Sequence, residues 1–466
     1  MRDEFDAAVV VAFDFDVVVP IRIVTQEIRK KVGIRRKLLI LGLAGIFNLG
    51  LTGSSIAAGT LDPYFGNGGV VFSTSPLGGT IAAGYGVQED GQGHILVAGV
   101  VSDATGTFHL AVWRFLSDGR PDAAFGERGL ALSPGEEWAW AVGLDGEGRI
   151  LAAGIAGKSW RTAERAVVRR FLDDGRPDPE FGRGGLVRVA SPLGGEHALF
   201  DALWAGADGS LALAGEVSDA TGVVHAAVWR FLPDGRPDSE FGDKGVAVLP
   251  GSGRETRLWA LSQSDGAFFA SGAMDGWKRM AVWKLSLKGI LDARFGDGGV
   301  ASTGRGMGRA LAFDEHGGVW AAGFKYEHEE DQGVNERALL ARLKADGSPD
   351  AAFGKDGARL LPGTKELPDR EAFALARTSA AKFFLAGYAA FGLHEAHSCL
   401  WAIDADGAPR DDFGENGVLV LPNAPGGQDA RFYALTLDGH GRVLATGFAR
   451  GADGKMRVAL WRVKPQ

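Results

Sequence analysis

One phrase returns seven times along this chain: Phe-Gly, with a second Gly four residues after the Phe. The copies begin at Phe65, Phe125, Phe181, Phe241, Phe295, Phe353 and Phe413, at spacings of 60, 56, 60, 54, 58 and 60 residues. A period of this size means one structural unit copied in tandem, each copy burying its apolar face against the next. It favours one large repeat domain over the two or three ordinary domains that 466 residues would otherwise allow.

Residues 84–132 serve as a template for the unit. Gly84 to Glu89 reads as a short strand, a, followed by a turn at Asp90-Gly91. Gly supplies a positive φ there, and Asp bonds back to the backbone. Ile95 to Val101 alternates like a half-buried strand, b. A loop, Ser102 to Thr107, leads to strand c, His109 to Leu116; the turn at Asp118-Gly119, the Phe125 phrase and strand d, Leu130 to Ser133, complete the unit. Four short antiparallel strands per repeat make one propeller blade. Composition agrees, because 71 Gly and 12 Trp suit crowded sheets joined by tight turns, and no sustained helical period is present after residue 60.

The termini bear on how the array ends. The chain stops at strand c, Val458 to Val463, with no phrase after it. It begins with a spare phrase, Leu61 to Gly66, and a spare strand d, Val70 to Ser73. Pairing the two would complete the last blade and cover the strand edges that an open array exposes. The expected fold is therefore all-β: a seven-bladed beta-propeller of four-stranded antiparallel blades over residues 59–466, its ring closed by the N-terminal strand joining the C-terminal blade. Two segments, Ser75 to Gly79 and Val101 to Gly106, return 116 residues later as Ser191 to Gly195 and Val217 to Gly222, which points to duplication of a two-blade unit.

Three columns recur at fixed places. Strand b carries Gly99, Gly154, Gly215, Gly272, Gly323, Gly387 and Gly447. Glycine weakens a strand unless another backbone comes close, and packing between neighbouring blades is the expected cause. Strand c carries Trp113, Trp229, Trp283, Trp401 and Trp461, with Arg169 and Ala341 at the other two places. Four residues earlier stands a His or Arg: His109, Arg165, His225, Arg279, Arg337, His397 or Arg457. A residue repeated in every unit serves every unit's fold, so these cations are expected to stack on the strand's own Trp or pair with a nearby Asp. The phrase itself reads as structural. Asp62, Asp122, Asp178, Asp238, Asp292 and Asp350, three before the Phe, would close a turn onto the backbone N–H groups that follow. Arg410 breaks that rule. The Phe ring is expected between blades.

The first sixty residues read as an address. Lys30-Lys31 and Arg35-Arg36-Lys37 precede an apolar run from Leu38 to Leu51 and the small residues Ser54 to Ala58. Basic, apolar and small-residue regions in that order describe a secretory signal, and the run is short for a membrane span. Residues 29–58 are accordingly read as a signal peptide, with an uncleaved signal anchor as the alternative. Residues 1–28 are read as a non-native or disordered extension upstream of a later translation start. The protein is expected to be exported, to the periplasm, the cell surface or the medium, with no stable membrane insertion once the signal is removed. The one cysteine, Cys399, excludes an intramolecular disulfide and reads as a buried, inert thiol.

With the Asp-x-x-Phe-Gly-x-x-Gly phrase, the Asp-Gly turns and the Ala-Gly pairs at Ala98-Gly99, Ala153-Gly154 and Ala214-Gly215 in view, the chain from residue 60 onward resembles the bacterial delta-60 repeat family. It is similar, more loosely, to NHL-repeat propellers. The resemblance implies an exported or surface propeller and supplies no catalytic residues.

Net charge of −8 argues against a nucleic-acid partner. No His-rich metal signature, nucleophile elbow or phosphate-binding loop is present, so no cofactor is expected. Function should then lie where the repeats differ, in the loops of one face. The candidates are Trp138, Trp140 and Trp160 in the second unit, Trp277 in the fourth, and the acidic stretch Tyr326, Glu327, His328 and Glu329 in the fifth. Trp138, Trp160 and Trp277 are expected to be exposed anchors. The reading is a non-enzymatic, monomeric binding propeller that takes a protein or cell-envelope polysaccharide partner. A propeller hydrolase or lyase, with converging His and carboxylates at a channel mouth, and a purely structural surface module are the alternatives.

Overall fold

The computed structural model describes residues 59–466, apart from 158–164, 252, 277, 330–332, 364–368, 381, 391–395, 422, 425–426, 428 and 465–466. The signal-peptide and extension readings fall on residues 1–58 and lie outside the described residues. Among the described residues the regular elements are all strands.

The strands follow the repeat. Gly194–Ala205, Leu211–Asp219, Val224–Phe231 and Val246–Val248 form a four-stranded antiparallel sheet in chain order. Two further four-stranded sheets follow, Arg257–Ser264 to Val300–Ser302 and Met307–Phe313 to Ala358–Leu360. The first two units share the strand Leu130–Leu144, which is d of one and a of the next. The last two are joined by a single parallel bridge, Ala396 to Asp429. Val70–Ser73, the spare strand of the sequence, lies antiparallel to Met456–Lys464, with Val70 opposite Trp461 and Ser73 opposite Val458.

The core is a series of slabs between successive sheets. One slab brings Leu211 and Leu213 against Leu151 and Ala153 of the unit before. Another brings Leu444, Val458 and Leu460 of the last unit against Ile95, Val97 and Trp113 of the first. The phrase phenylalanines sit in these slabs, each at most 2% exposed. Burying each ring is worth about 2 kcal/mol. Behind the ring, the N–H of Gly126 donates to the Asp174 carbonyl in the turn of the following unit at 2.8 Å, and Gly66 and Gly182 do the same to Asp118 and Asp234. The phrase is thus a stitch between units, as its repetition implied.

The Asp before each Phe closes its turn as expected, Asp122 Oδ1 accepting the Ala124 N–H at 3.0 Å. Its other oxygen does something the sequence reading missed. It takes the cation that follows the strand-c Trp position: Arg114 to Asp122 at 2.7 Å, Arg170 to Asp178 at 2.7 Å, Lys284 to Asp292 at 3.2 Å. Four of the His and Arg that open strand c pair with an Asp of the preceding turn: His109 with Asp103 at 3.4 Å, His225 with Asp219 at 3.0 Å, Arg279 with Asp275 at 3.4 Å and Arg457 with Asp453 at 2.8 Å.

The strand-b glycines have a different cause from the one expected. A Cβ on Gly99 would lie 1.9 Å from the Ala83 carbonyl oxygen, and one on Gly447 would lie 1.7 Å from that of Arg431. Both carbonyls belong to strand a of the same sheet, so the close approach is within a unit and not between neighbours. The backbone comes so near because strand a bulges there.

Candidate functional site

Each bulge leaves one extra residue on strand a, immediately after the partner of the strand-b glycine. The pairing jumps between Gly84 and Gly86, Ala139 and Ala141, Phe200 and Ala202, and Leu258 and Ala260. It jumps again between Gly308 and Ala310, Ala372 and Ala374, and Phe432 and Ala434. The residues set free are Tyr85, Trp140, Asp201, Trp259, Arg309, Phe373 and Tyr433. A bulge re-aims a side chain that strict alternation would have turned elsewhere.

These residues meet although their units are far apart in sequence. The Trp140 and Tyr85 rings lie 4.6 Å apart, Tyr85 and Tyr433 5.1 Å, and Tyr433 and Phe373 5.2 Å. The Arg309 guanidinium continues the series, 5.3 Å from the Phe373 ring and 4.2 Å from Trp259. Asp201 feels the Arg309 charge. The frame is the same in every unit, and the side chain it presents is not.

A second tier surrounds the first. It is built from the residues two before the bulge and the residues that follow the strand-b glycine. Arg257 Nη1 donates to Glu216 Oε2 at 2.7 Å, and His197 Nε2 stands 3.8 Å from the same oxygen. The Tyr388 hydroxyl donates to Glu371 Oε1 at 2.7 Å, and the Arg431 guanidinium lies 4.7 Å over the Tyr388 ring. Burial pushes the Asp201 carboxyl well above the usual carboxylate range, and the nearby Glu216 acts in the same direction against Arg309 and Arg257. Burial likewise lowers Arg309 from its ordinary value, opposed by Glu371 and Asp201. Asp201 Oδ2 is buried with no hydrogen-bond partner among the described residues.

The sequence-predicted candidates fare unevenly. Trp140 is one of the converging residues. Trp138 corrects the expectation of an exposed anchor: it is 1% exposed, packed 4.3 Å from Phe108 and stacked 5.7 Å from Trp140. Trp138 stands two before the bulge, at the second-tier position, and is covered there by Phe108 and Trp140. Trp160 and Trp277 lie outside the described residues. Tyr326 is half-buried against Phe324, 5.6 Å away. Glu327, His328 and Glu329 continue its strand, opposite Asn335, Val334 and Gly333. Among the described residues no group of three His, Cys, Asp or Glu could hold a metal ion.

Tyr85, Asp201, Arg309, Phe373 and Tyr433 were missed as a set. A signal for them exists: they stand fourteen residues before the strand-b glycine, thirteen in the unit of Trp259. Read as a column, that position is large or charged in every unit and different in most.

Against known proteins, a family model described as "domain of unknown function (DUF5122) beta-propeller" matches residues 93–125, 206–241 and 330–353. The chain carries beta-propeller repeats. All three matches end on the Phe of a phrase, two of them starting at the strand a–b turn and the third after strand b, so the beta-propeller repeat and the Phe-Gly period are one feature. No curated protein matches the chain. Among solved structures it is similar to the polysaccharide lyase Uly1, at 9% identity and a TM-score of 0.48, over 83% of this chain and 91% of that one. It is also similar to an unknown-function protein from Dyadobacter fermentans, at 11% identity and a TM-score of 0.41, over 85% and 98%. The alpha-L-arabinanase of Penicillium chrysogenum, solved with arabinobiose, is similar at 13% identity and a TM-score of 0.42, over 69% and 92%. At such scores no reaction or substrate passes from these proteins to this beta-propeller.

Proposed function

We propose that this chain is an exported, seven-bladed propeller of the delta-60 type that binds a protein or cell-envelope polysaccharide at the place where its a strands converge. In this reading Val70–Ser73 serves as the fourth strand of the last blade and seals the ring, and the converging bulges line the mouth of the axial channel. The pairing of Val70 with Trp461 and the slab shared by the first and last units support closure.

One observation carries the binding role. Seven equivalent bulges present Tyr, Trp, Asp, Trp, Arg, Phe and Tyr at one place. A fold needs the bulge; it does not need five different kinds of side chain on it. Aromatic faces beside a few convergent polar groups are the common make-up of a ligand site. The test is capture from an envelope extract, and on a glycan array, by the wild-type chain and by Trp140→Ala and Trp259→Ala. Retention of a specific partner by the wild type, lost in both variants while their melting temperatures hold, supports the site. Equal capture by all three chains would move binding elsewhere.

A second reading has its own support. Asp201, its carboxyl raised by burial, lies near Glu216, which is held by Arg257. A carboxyl raised by burial with a second carboxyl nearby is a pattern of acid–base chemistry. A propeller hydrolase or lyase would release new chain ends from a captured glycan, and Asp201→Asn would abolish that release without abolishing capture.

A further inference from the structure

We infer that the ligand at the convergence site is an uncharged saccharide, held by the aromatic ring faces and by Asp201. This rests on the binding reading above and narrows its chemistry. Two features of the site carry it.

The charges compensate one another. Arg257 is spent on Glu216 at 2.7 Å, and Arg431 stands 3.3 Å from Asp429. Arg309 has the Glu371 carboxylate as the leading charge acting against its desolvation, and it lies over Trp259, Phe373 and, at 5.6 Å, Phe324. A uronate or sulfate would need a cation whose charge is not already balanced, because Arg binds such groups by charge-assisted, bidentate hydrogen bonds. A cationic amino sugar would need an ionised carboxylate, whereas burial favours the uncharged form of Asp201.

The remaining groups alternate in kind. Trp140, Tyr85, Tyr433 and Phe373 form a continuous run of rings. The polar group that joins them at the convergence is Asp201, whose Oδ2 is buried without a hydrogen-bond partner among the described residues. A pyranose or furanose has the matching construction, an apolar C–H face that packs on the negative face of an aromatic ring and a rim of hydroxyls that donate and accept. An uncharged carboxylic acid can do both at that rim. A buried polar atom is costly until it is bonded, so a sugar hydroxyl at Oδ2 would satisfy it.

The experiment immobilises the full chain and offers four sets of probes: neutral hexasaccharides of glucose, mannose, xylose and arabinose; uronate hexasaccharides; sulfated hexasaccharides; and an envelope-protein extract. Binding of a neutral probe is expected, with little change on raising the salt, since no ion pair is made to it. Asp201→Ala should weaken it about tenfold, the loss of one buried hydrogen bond. Asp201→Asn, which keeps a donor and an acceptor, should stay within about threefold of the wild type. Melting temperatures check that both variants fold, and the choice of probe by the wild type needs neither variant. Preference for the uronate or sulfated probes, or capture of protein alone, would overturn the uncharged-saccharide assignment and leave the binding reading standing. Asn and Ala variants equally weak, both folded, would overturn the role of Asp201. No capture in any arm would overturn both readings.

Discussion

Arg462 Nε and Nη2 lie 2.9 and 2.8 Å from Asp62 Oδ2, so residues 400 positions apart share one buried ion pair. Lys464 Nζ adds a contact to Asp62 Oδ1 at 3.0 Å, and the Arg462 guanidinium lies 4.4 Å over the Phe65 ring. This is the same latch that Arg114 makes with Asp122 and Phe125 inside one unit. Here the two ends of the chain supply its halves. Asp62→Asn should therefore destabilise the fold by about 3 kcal/mol, the cost of leaving a buried cation without its partner. Denaturant unfolding of Asp62→Asn beside Asp122→Asn measures it. A change below about 0.5 kcal/mol, the range of ordinary surface substitutions, would show that the terminal latch does not hold the fold.

The same carboxyl sets a pH dependence. Burial acts to raise Asp62, but hydrogen bonds from Lys464 and the Tyr64 N–H, together with Arg462, outweigh it and hold the group below its usual value. A depressed carboxyl contributes stability above the unfolded value, about 4, and loses it as pH falls through the lower folded value. Stability of the wild type should fall more steeply than that of Asp62→Asn below pH about 4. Parallel curves would mean that Asp62 titrates as it does in the unfolded chain.

The bulge makes a steric prediction. A methyl on Gly447 would meet the Arg431 carbonyl at 1.7 Å, whereas nothing lies within 4 Å of one on Gly91. Gly447→Ala should cost about 3 kcal/mol, as an overpacked core does. Gly91→Ala should be close to neutral, because the positive φ expected of Gly91 in that turn is taken by Gly93 instead. Since the displaced carbonyl lies two residues before Tyr433, Gly447→Ala should also perturb ring-current shifts at Tyr85 and Phe373.

One unit has exchanged its latch. Where the others place a cation after the Trp position and an Asp before the phrase, the sixth has Ala402 and Arg410, and Arg410 turns to Asp412 at 2.6 Å. Arg410→Asp alone should destabilise, because the new carboxylate finds no strand-c cation. Adding Ala402→Arg should restore the latch of the other units, with a coupling of about 1–2 kcal/mol in the double-mutant cycle. Strict additivity would show that the two positions do not communicate.

Cys399 reports unfolding. Burial pushes its thiol up to about 12. The native protein at pH 8 should resist a thiol reagent, with labelling that rises only as denaturant opens the sixth unit. Rapid labelling without denaturant would place the thiol at the surface.

Much of the fold is legible in the sequence because it is repeated. The phrase Phe, the turn Asp and the strand-b Gly each solve a problem that every unit has, and selection writes the same residue each time. The site is not legible in that way. Trp138 and Trp140 look equivalent along a strand, two residues apart and hence on one face. The bulge leaves Trp140 out of the ladder and sets it against the ring of Tyr85, while Trp138, still paired with Ile155, is buried beneath Phe108. The strand-b glycine marks that something approaches closely, but it does not say whether the intruder is a neighbouring blade or the unit's own carbonyl.

By itself the sequence determined the period, the strand content of each unit and the spare first strand, since these follow from local propensity, turn chemistry and counting. Only the tertiary structure decided that Asp62 answers Arg462, that Ala402 and Arg410 are an exchanged latch, and that Tyr85, Trp140, Asp201, Trp259, Arg309, Phe373 and Tyr433 belong together. The physical reason is distance along the chain. A repeat is recognised by comparing like with like, whereas these contacts join unlike residues from different units. They become neighbours only when every sheet has twisted, bulged and packed against the next.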